Sequence, residues 1–274
     1  MPRCADATCG RWRPERLVPR WATGLRFNER WYCSRECVEN AVKARLDAPT
    51  QTASVPSLPP LRLGVLLRHL GALTEEQLTA ALASQRTTGR KLGDELQRLA
   101  LVSSEAVLRA LAAQGGVSYL NSFDPALASQ GPEWLPEDTV RALGLVPFEV
   151  NASQQRIKVV CTAPVPKAAL RALTKLTGWL PEAYLVDDKV WEAAMRAYRS
   201  KSSESSSAGT SRVNDFAAAA SRVADVALAD RAITMRHASY DRYTWVRVEG
   251  PQHWSDVWVD GAQEDPCLVE HTAH

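Results

Sequence analysis

No stretch of this chain approaches the roughly 18 uninterrupted apolar residues that a membrane helix needs; Arg62, Arg68 and His69 interrupt its most apolar segment. The start offers Arg3 and Cys4 in place of a basic stretch followed by an apolar run, which predicts no secretory signal. Neither charge dominates: 33 Lys and Arg against 31 Asp and Glu leave a formal +2, which speaks against a general polyanion binder. The pattern G-x-x-x-x-G-K-[ST] is missing, so there is no phosphate cradle with its lysine, and ATP hydrolysis is not expected. No Ser/His/Asp or paired-carboxylate arrangement stands out, and His237, His253, His271 and His274 are scattered. Together these absences predict a cytoplasmic protein without a catalytic centre. Apolar residues are not lacking: 45% of 274 residues support one large domain or two to three small ones.

Cysteine is sparse but concentrated. Four of the six lie within the first 37 residues, as Cys4, Cys9, Cys33 and Cys37. In a cytoplasmic chain this pattern points to metal chemistry rather than disulfides. Two pairs of thiolates suit tetrahedral zinc, and a closed set of four ligands is structural. The second pair, in WYCSRECVENAV, falls where a helix opens, so the spacing predicts a zinc-ribbon or treble-clef type of knuckle. The alternative is four reduced thiols in an apolar pocket, for which the segment offers little other core. Between the pairs, Trp12, Trp21, Phe27 and Trp31 alternate with Arg11, Arg13, Arg16, Arg20 and Arg26. Such interleaving can bind nucleic acid, but Glu15, Glu29, Glu36 and Glu39 dilute the field, and protein docking is the better reading. A DNA-associated regulator built on this knuckle is the outlying alternative. Cys161 and Cys267 lack sequence neighbours and read as a buried small residue and a tail thiol.

Two low-complexity tracts divide the chain, giving a Cys-rich module (1–46), a linker (47–60), a central domain (61–199), a Ser-rich linker (200–212), a C-terminal module (213–261) and a tail (262–274). The expected fold class is α+β: a zinc knuckle, a helical tandem repeat leading into a small α/β half, then a helix plus β-hairpin. In the α/β half the patterns predict a helix over 136–143, extended chain over 145–150 and a turn over 151–154. A strand over 156–161, a helix over 166–177, a strand over 183–186 and a closing helix over 187–198 follow. The C-terminal module reads as one helix over 213–229 and strands over 244–249 and 254–259.

The central domain opens with a 24-residue unit that occurs twice across a five-residue spacer. Arg62 to Gln85 reads RLGVLLRHLGALTEEQLTAALASQ, and Lys91 to Gln114 reads KLGDELQRLALVSSEAVLRALAAQ. Leu63, Leu66, Leu67 and Leu70 follow helical spacing, Gly71 falls where a left-handed C-cap is wanted, and Thr74 with Gln77 forms a capping box. Leu78, Leu82 and Gln85 share a face, as do Val107, Leu111 and Gln114 behind the cap Ser103. Ala100 replaces the Gly71 equivalent. Leucine at these spacings builds the core of any helical hairpin. Equally, a duplicated surface suits a ligand that is itself two-fold symmetric.

This doubled RLG…Q unit resembles the N-terminal domain of type II secretion and type IV pilus assembly ATPases, and within it the MshEN variety that binds cyclic-di-GMP. The gapless 24-5-24 arrangement carries the resemblance, and LPEDTVRALGLVPFEV and LRALTKLTGWLPEAYLV extend it to about Tyr198. VADVALADRAITMRHASYDRYTWVRVEG resembles the small domain that precedes the motor in those ATPases. The resemblance implies a bacterial cyclic-di-GMP-binding signalling adaptor whose site residues are Arg62, Leu63, Gly64, Leu78, Leu82, Lys91, Leu92, Gly93, Asp94, Val107 and Leu111. On that reading Arg62 and Lys91 each neutralise a phosphate, Gly64 and Gly93 admit close backbone approach, and the leucines and Val107 face the bases. Asp94 accepts from the guanine edge. The chain departs from the family where Lys91 takes the place of a second arginine, and where Ala163 precedes Pro164 in place of an acid. A protein partner within a secretion or pilus apparatus is implied as well. The alternative is an interaction scaffold of such an apparatus that binds no nucleotide.

Overall fold

The structure is a computed structural model of the whole chain, described here for residues 3–12, 24–48, 61–202, 209–240, 243–251 and 254–260. The linker from 49 to 60, the tail from 261 with Cys267, His271 and His274, and His253 lie outside the described residues. The chain divides into two compact units: Met1–Thr52 with Lys175–Thr177 and Ser206–His274, and Ala53–Thr174 with Gly178–Ser205.

The first unit is made by the two ends of the chain. Strands β1 (Leu25–Phe27) and β2 (Arg30–Tyr32) pair antiparallel across a two-residue turn, with Asn28 at φ 47° and Glu29 at φ 65°. Two left-handed residues match the twist of a tight hairpin. Ser34 then caps α1 (Arg35–Asp47), its hydroxyl accepting from the Cys37 N–H at 3.4 Å. From the other end come β7 (Gly209–Val213), α9 (Phe216–Asp230), β8 (Ala232–Tyr240), β9 (Tyr243–Glu249) and β10 (Trp254–Asp260). All six strands join one sheet in the order β2-β1-β8-β9-β10-β7. The small stripe Ala219, Ala220, Val223, Ala224 and Ala227 lets α9 pack closely. It shares a core with Val38, Val42 and Leu46 of α1 and with Ile233, Met235, Val246, Val248, Val257 and Val259 of the sheet.

The separate modules expected over 1–46 and 213–261 are therefore one folded unit. The physical reason is that β1 has two edges: β2 takes one, and β8 takes the other in parallel register, Arg26 opposite Ala232 and Phe27 opposite Ile233. The predicted helix over 213–229 also needs correction. Asp215 accepts from the Ala218 N–H at 2.6 Å and starts the helix at Phe216, while Gly209–Val213, expected as the end of the linker and the first residue of the helix, is a strand parallel to β10. The hairpin of β9 and β10 is as expected, and it carries a buried Arg247–Asp256 pair at 2.8 Å.

The second unit begins with α2 (Leu63–His69), α3 (Glu75–Thr88), α4 (Leu92–Arg98) and α5 (Ser104–Gly115). After β3 (Ser118–Tyr119) and a 3-10 helix (Pro125–Gln130) come α6 (Glu137–Leu143), β4 (Val146–Asn151), β5 (Arg156–Cys161), α7 (Lys167–Thr177), β6 (Leu180–Leu185) and α8 (Asp188–Ser202). The sheet runs β3-β6-β5-β4, with β4 and β5 an antiparallel hairpin and β5 joined to parallel β6 through α7. Gly178 ends α7 in a left-handed cap, and Asp187 accepts from the Lys189 N–H at the start of α8. Tyr198 of α8 donates its hydroxyl to the carbonyls of Pro132 and Leu135, tying the last helix to the loop before α6. The chain is thus α+β, as its patterns indicate. No helix among the described residues is long and apolar enough to cross a membrane.

Candidate ligand surface and candidate metal centre

Each repeat is a short helix, a left-handed turn and a longer capped helix. Thr74 and Gln77 form the reciprocal box in the first copy, with bonds of 2.9 and 3.2 Å. Ser103 accepts from the Ala106 N–H at 3.2 Å in the second. The two copies then exchange partners: α2 packs on α5, and α3 on α4. Gly64 lies under Leu78 of its own repeat and Leu92 of the other, since a Cβ there would stand 2.7 Å from Leu78 Cδ1 and 3.5 Å from Leu92 Cδ2. Gly93 mirrors this with Val107 Cγ1 at 3.1 Å and Leu63 Cδ2 at 3.6 Å. The contacts obey an approximate two-fold, and the first turns of α2 and α4 meet along it.

The closing glutamines obey the same symmetry. Gln85 donates from Nε2 to the Arg90 carbonyl at 2.9 Å, and Gln114 to the Leu61 carbonyl at 2.5 Å. Each repeat's last residue thereby holds the peptide immediately before the other repeat's basic residue. The sequence marks both glutamines only as closing a helical stripe; the exchange is visible in the fold alone.

Arg62, Lys91, Asp94 and Leu82 are exposed, and Leu63, Leu92 and Leu111 are half-buried. Leu61 and Val65 extend the exposed apolar surface beside them. Gly64, Gly93, Leu78 and Val107 lie beneath, buried in the repeats. The expected set thus divides into a charged and apolar rim and a supporting layer. Glu95, outside the expected set, is fully buried at the position matching Leu66. It accepts from Arg98 at 2.6 Å, Ser84 at 2.5 Å and Thr88 at 3.4 Å. The Arg98 guanidinium, then the Ser84 hydroxyl, pull its carboxyl down to about 2. A cavity of about 250 Å³ in the same unit, lined by Phe123, Phe148, Lys158 and Tyr184 among others, takes in none of the expected residues.

In the first unit, Cys4, Cys9, Cys33 and Cys37 converge, all four sulfurs lying within 4.8 Å of one another. Cys9 Sγ is 3.3 Å from Cys33 Sγ, which is 3.6 Å from Cys37 Sγ, and none of the four is in a disulfide. Tetrahedral zinc with Zn–S bonds of about 2.3 Å would space its sulfurs by about 3.8 Å, so the donor set fits the ion. A second layer is in place. The Cys33 N–H and the Ser34 hydroxyl both point at sulfurs, and Asp6 accepts from Thr8 and from Asn40. Burial pushes the Cys33 and Cys37 thiols up, whereas the Arg11 backbone N–H draws Cys9 down. A bound dication reverses that preference by favouring thiolates.

No family model matches the chain. It is 25% identical over 131 residues to the type IV pilus assembly ATPase PilB of Thermus thermophilus, covering 48% of this chain and 15% of PilB. It is also 31% identical over 106 residues to bacteriophage adsorption protein B of Escherichia coli K12, covering 36% of this chain and 14% of that protein. The chain therefore spans about one seventh of the length of these relatives. Among solved structures, MshE with cdg aligns at 28% identity with a TM-score of 0.41, covering 50% of this chain and 99% of that one. The N-terminal domain of XpsE aligns at 17% identity with a TM-score of 0.33, covering 50% and 93%. Part of this chain is thus similar in sequence to part of a type IV pilus assembly ATPase.

Proposed function

We propose that this chain is a non-catalytic cytoplasmic adaptor that binds cyclic-di-GMP across its two repeats and reports it to a partner in a secretion or pilus apparatus. The observation that carries this reading is the two-fold exchange of Gly64 with Leu92, Gly93 with Leu63, and the two glutamine bonds. A ligand with two phosphates and two guanines in two-fold arrangement matches such a surface. Arg62 and Lys91 flank the seam at equivalent positions. Their charges neutralise phosphates, and the guanidinium of Arg62 also offers a flat face to a base. The half-buried Leu63, Leu92 and Leu111 with Leu82 supply apolar contact, and Asp94 accepts from the guanine N1–H and amine. The four cysteines hold a structural zinc, which fixes the fold of the first unit and leaves no open coordination position.

Calorimetry on the full chain tests the ligand: heat is expected with cyclic-di-GMP at tens of micromolar, and Arg62→Ala removes it while the helical circular dichroism stays unchanged. Absence of heat together with retained pull-down of an apparatus partner favours the nucleotide-free scaffold instead.

A further inference from the structure

The four cysteines and the seam between the chain's two ends occupy the same short stretch of polypeptide. Cys33 directly follows β2, whose partner β1 is the strand paired with β8. Cys37 lies in the first turn of α1, which packs on α9. Ala5, one residue beyond Cys4, donates its N–H to the Trp31 carbonyl of β2 at 2.9 Å. The sulfurs therefore stand where the first loop, the hairpin and α1 converge.

The seam joins an apolar core, Val38, Val42 and Leu46 of α1 against α9, to a short run of hydrogen bonds. Arg26 donates to the Arg231 carbonyl and Asn28 to the Ile233 carbonyl, each at 2.9 Å, and Met235 donates to Asn28 Oδ1 at 2.7 Å. Outside the strands, Arg35 reaches Asp225 at 2.7 Å and the Ser221 hydroxyl at 2.8 Å. A hairpin of two three-residue strands does not hold its own shape in water. Leu25, Phe27 and Tyr32 are buried in the shared core, and the cysteines join the β1–β2 ribbon to the first loop and to α1 as well.

Resting on the reading of the cluster as a metal site, we infer that zinc at Cys4, Cys9, Cys33 and Cys37 is the clasp that closes β1 onto the edge of β8. Ligation fixes the corner from β2 into α1, and with it Asn28 and the α1 face that meets α9. Four thiols lose their protons as the metal enters, and no ligand position is left for solvent. Without the metal, the edge of β8 loses its neighbour and presents unpaired backbone groups.

Hydrogen exchange on the full chain, purified with zinc and then stripped with a chelator, tests this. Metal analysis is expected to give one zinc per chain. Stripping is expected to speed exchange of the Arg26, Asn28 and Met235 amides by roughly tenfold or more while β5 of the other unit stays as it was. Readdition of zinc restores protection. Asn28→Gly, which tolerates the left-handed backbone but removes Oδ1, is expected to keep its zinc and lose protection at Met235; loss of zinc along with protection shows the same coupling. If no zinc binds, the metal reading fails and the clasp with it. If zinc binds but its removal leaves the three amides unchanged, or speeds β5 equally, the clasp alone is refuted.

Discussion

Ala100 is the place where the second repeat contradicts the conformation it must adopt. Its φ is 53°, while the equivalent Gly71 has 69°. Both turns close identically: the Ala72 N–H bonds the Leu67 carbonyl and the Leu101 N–H the Leu96 carbonyl, at 2.9 and 3.0 Å. Left-handed backbone costs a non-glycine residue about 1–2 kcal/mol. Glycine at the same place restores about 0.4–1 kcal/mol of unfolded-chain freedom. Ala100→Gly is therefore expected to stabilise the repeats by about 1 kcal/mol, and Gly71→Ala to destabilise them by a similar amount. Side-chain packing does not confuse the comparison: a Cβ at Gly71 has nothing within 4 Å, and Ala100 is exposed. Hydrogen exchange of amides in α2 to α5 under mild urea reads the difference. If Ala100→Gly is neutral or harmful while Gly71→Ala costs nothing, the assignment of strain to this backbone position is wrong.

Three further outcomes are expected. Gly64→Ala places a methyl 2.7 Å from Leu78 Cδ1, closer than the 3.1 Å of Gly93→Ala to Val107 Cγ1, while both gain the same helix propensity, so thermal melts should show Gly64→Ala as the less stable of the two. Glu95 has a folded value near 2, below its ordinary one, so its stabilisation is present above about pH 4.5 and is lost as pH falls toward 2. Acid unfolding of the repeats should steepen in that window, and Glu95→Gln should flatten it. Asp256→Ala leaves the buried Arg247 guanidinium without its carboxylate and should destabilise the first unit by about 3–5 kcal/mol, measured by denaturant titration of its strand amides.

What the sequence disclosed was local. The capping box of Thr74, the Ser103 cap, the turn at Gly71 and the strand Arg156–Cys161 each depend on residues a few positions apart, and all are present. What it concealed was pairing across distance. Phe27 meets Ile233 across some two hundred intervening residues, so β1 and β8 carry no mark of each other. Most of Gly209–Val213 lies at the end of a serine-rich tract whose composition says linker, although its partner β10 makes it a strand. At the candidate surface the residue types were legible, whereas the division into rim and support was not: Leu78 and Val107 look like Leu82 and Leu111 until Gly64 and Gly93 are seen beneath them. Glu95 did carry a signal, an acid where the first repeat has Leu66 and an arginine three residues on.

The most direct test of a two-fold ligand surface is the calorimetric stoichiometry of cyclic-di-GMP on the full chain and on Arg62→Ala and Lys91→Ala. One ligand per chain, lost with either substitution while the fold is retained, is the result predicted. Saturable binding that survives both substitutions together would contradict it.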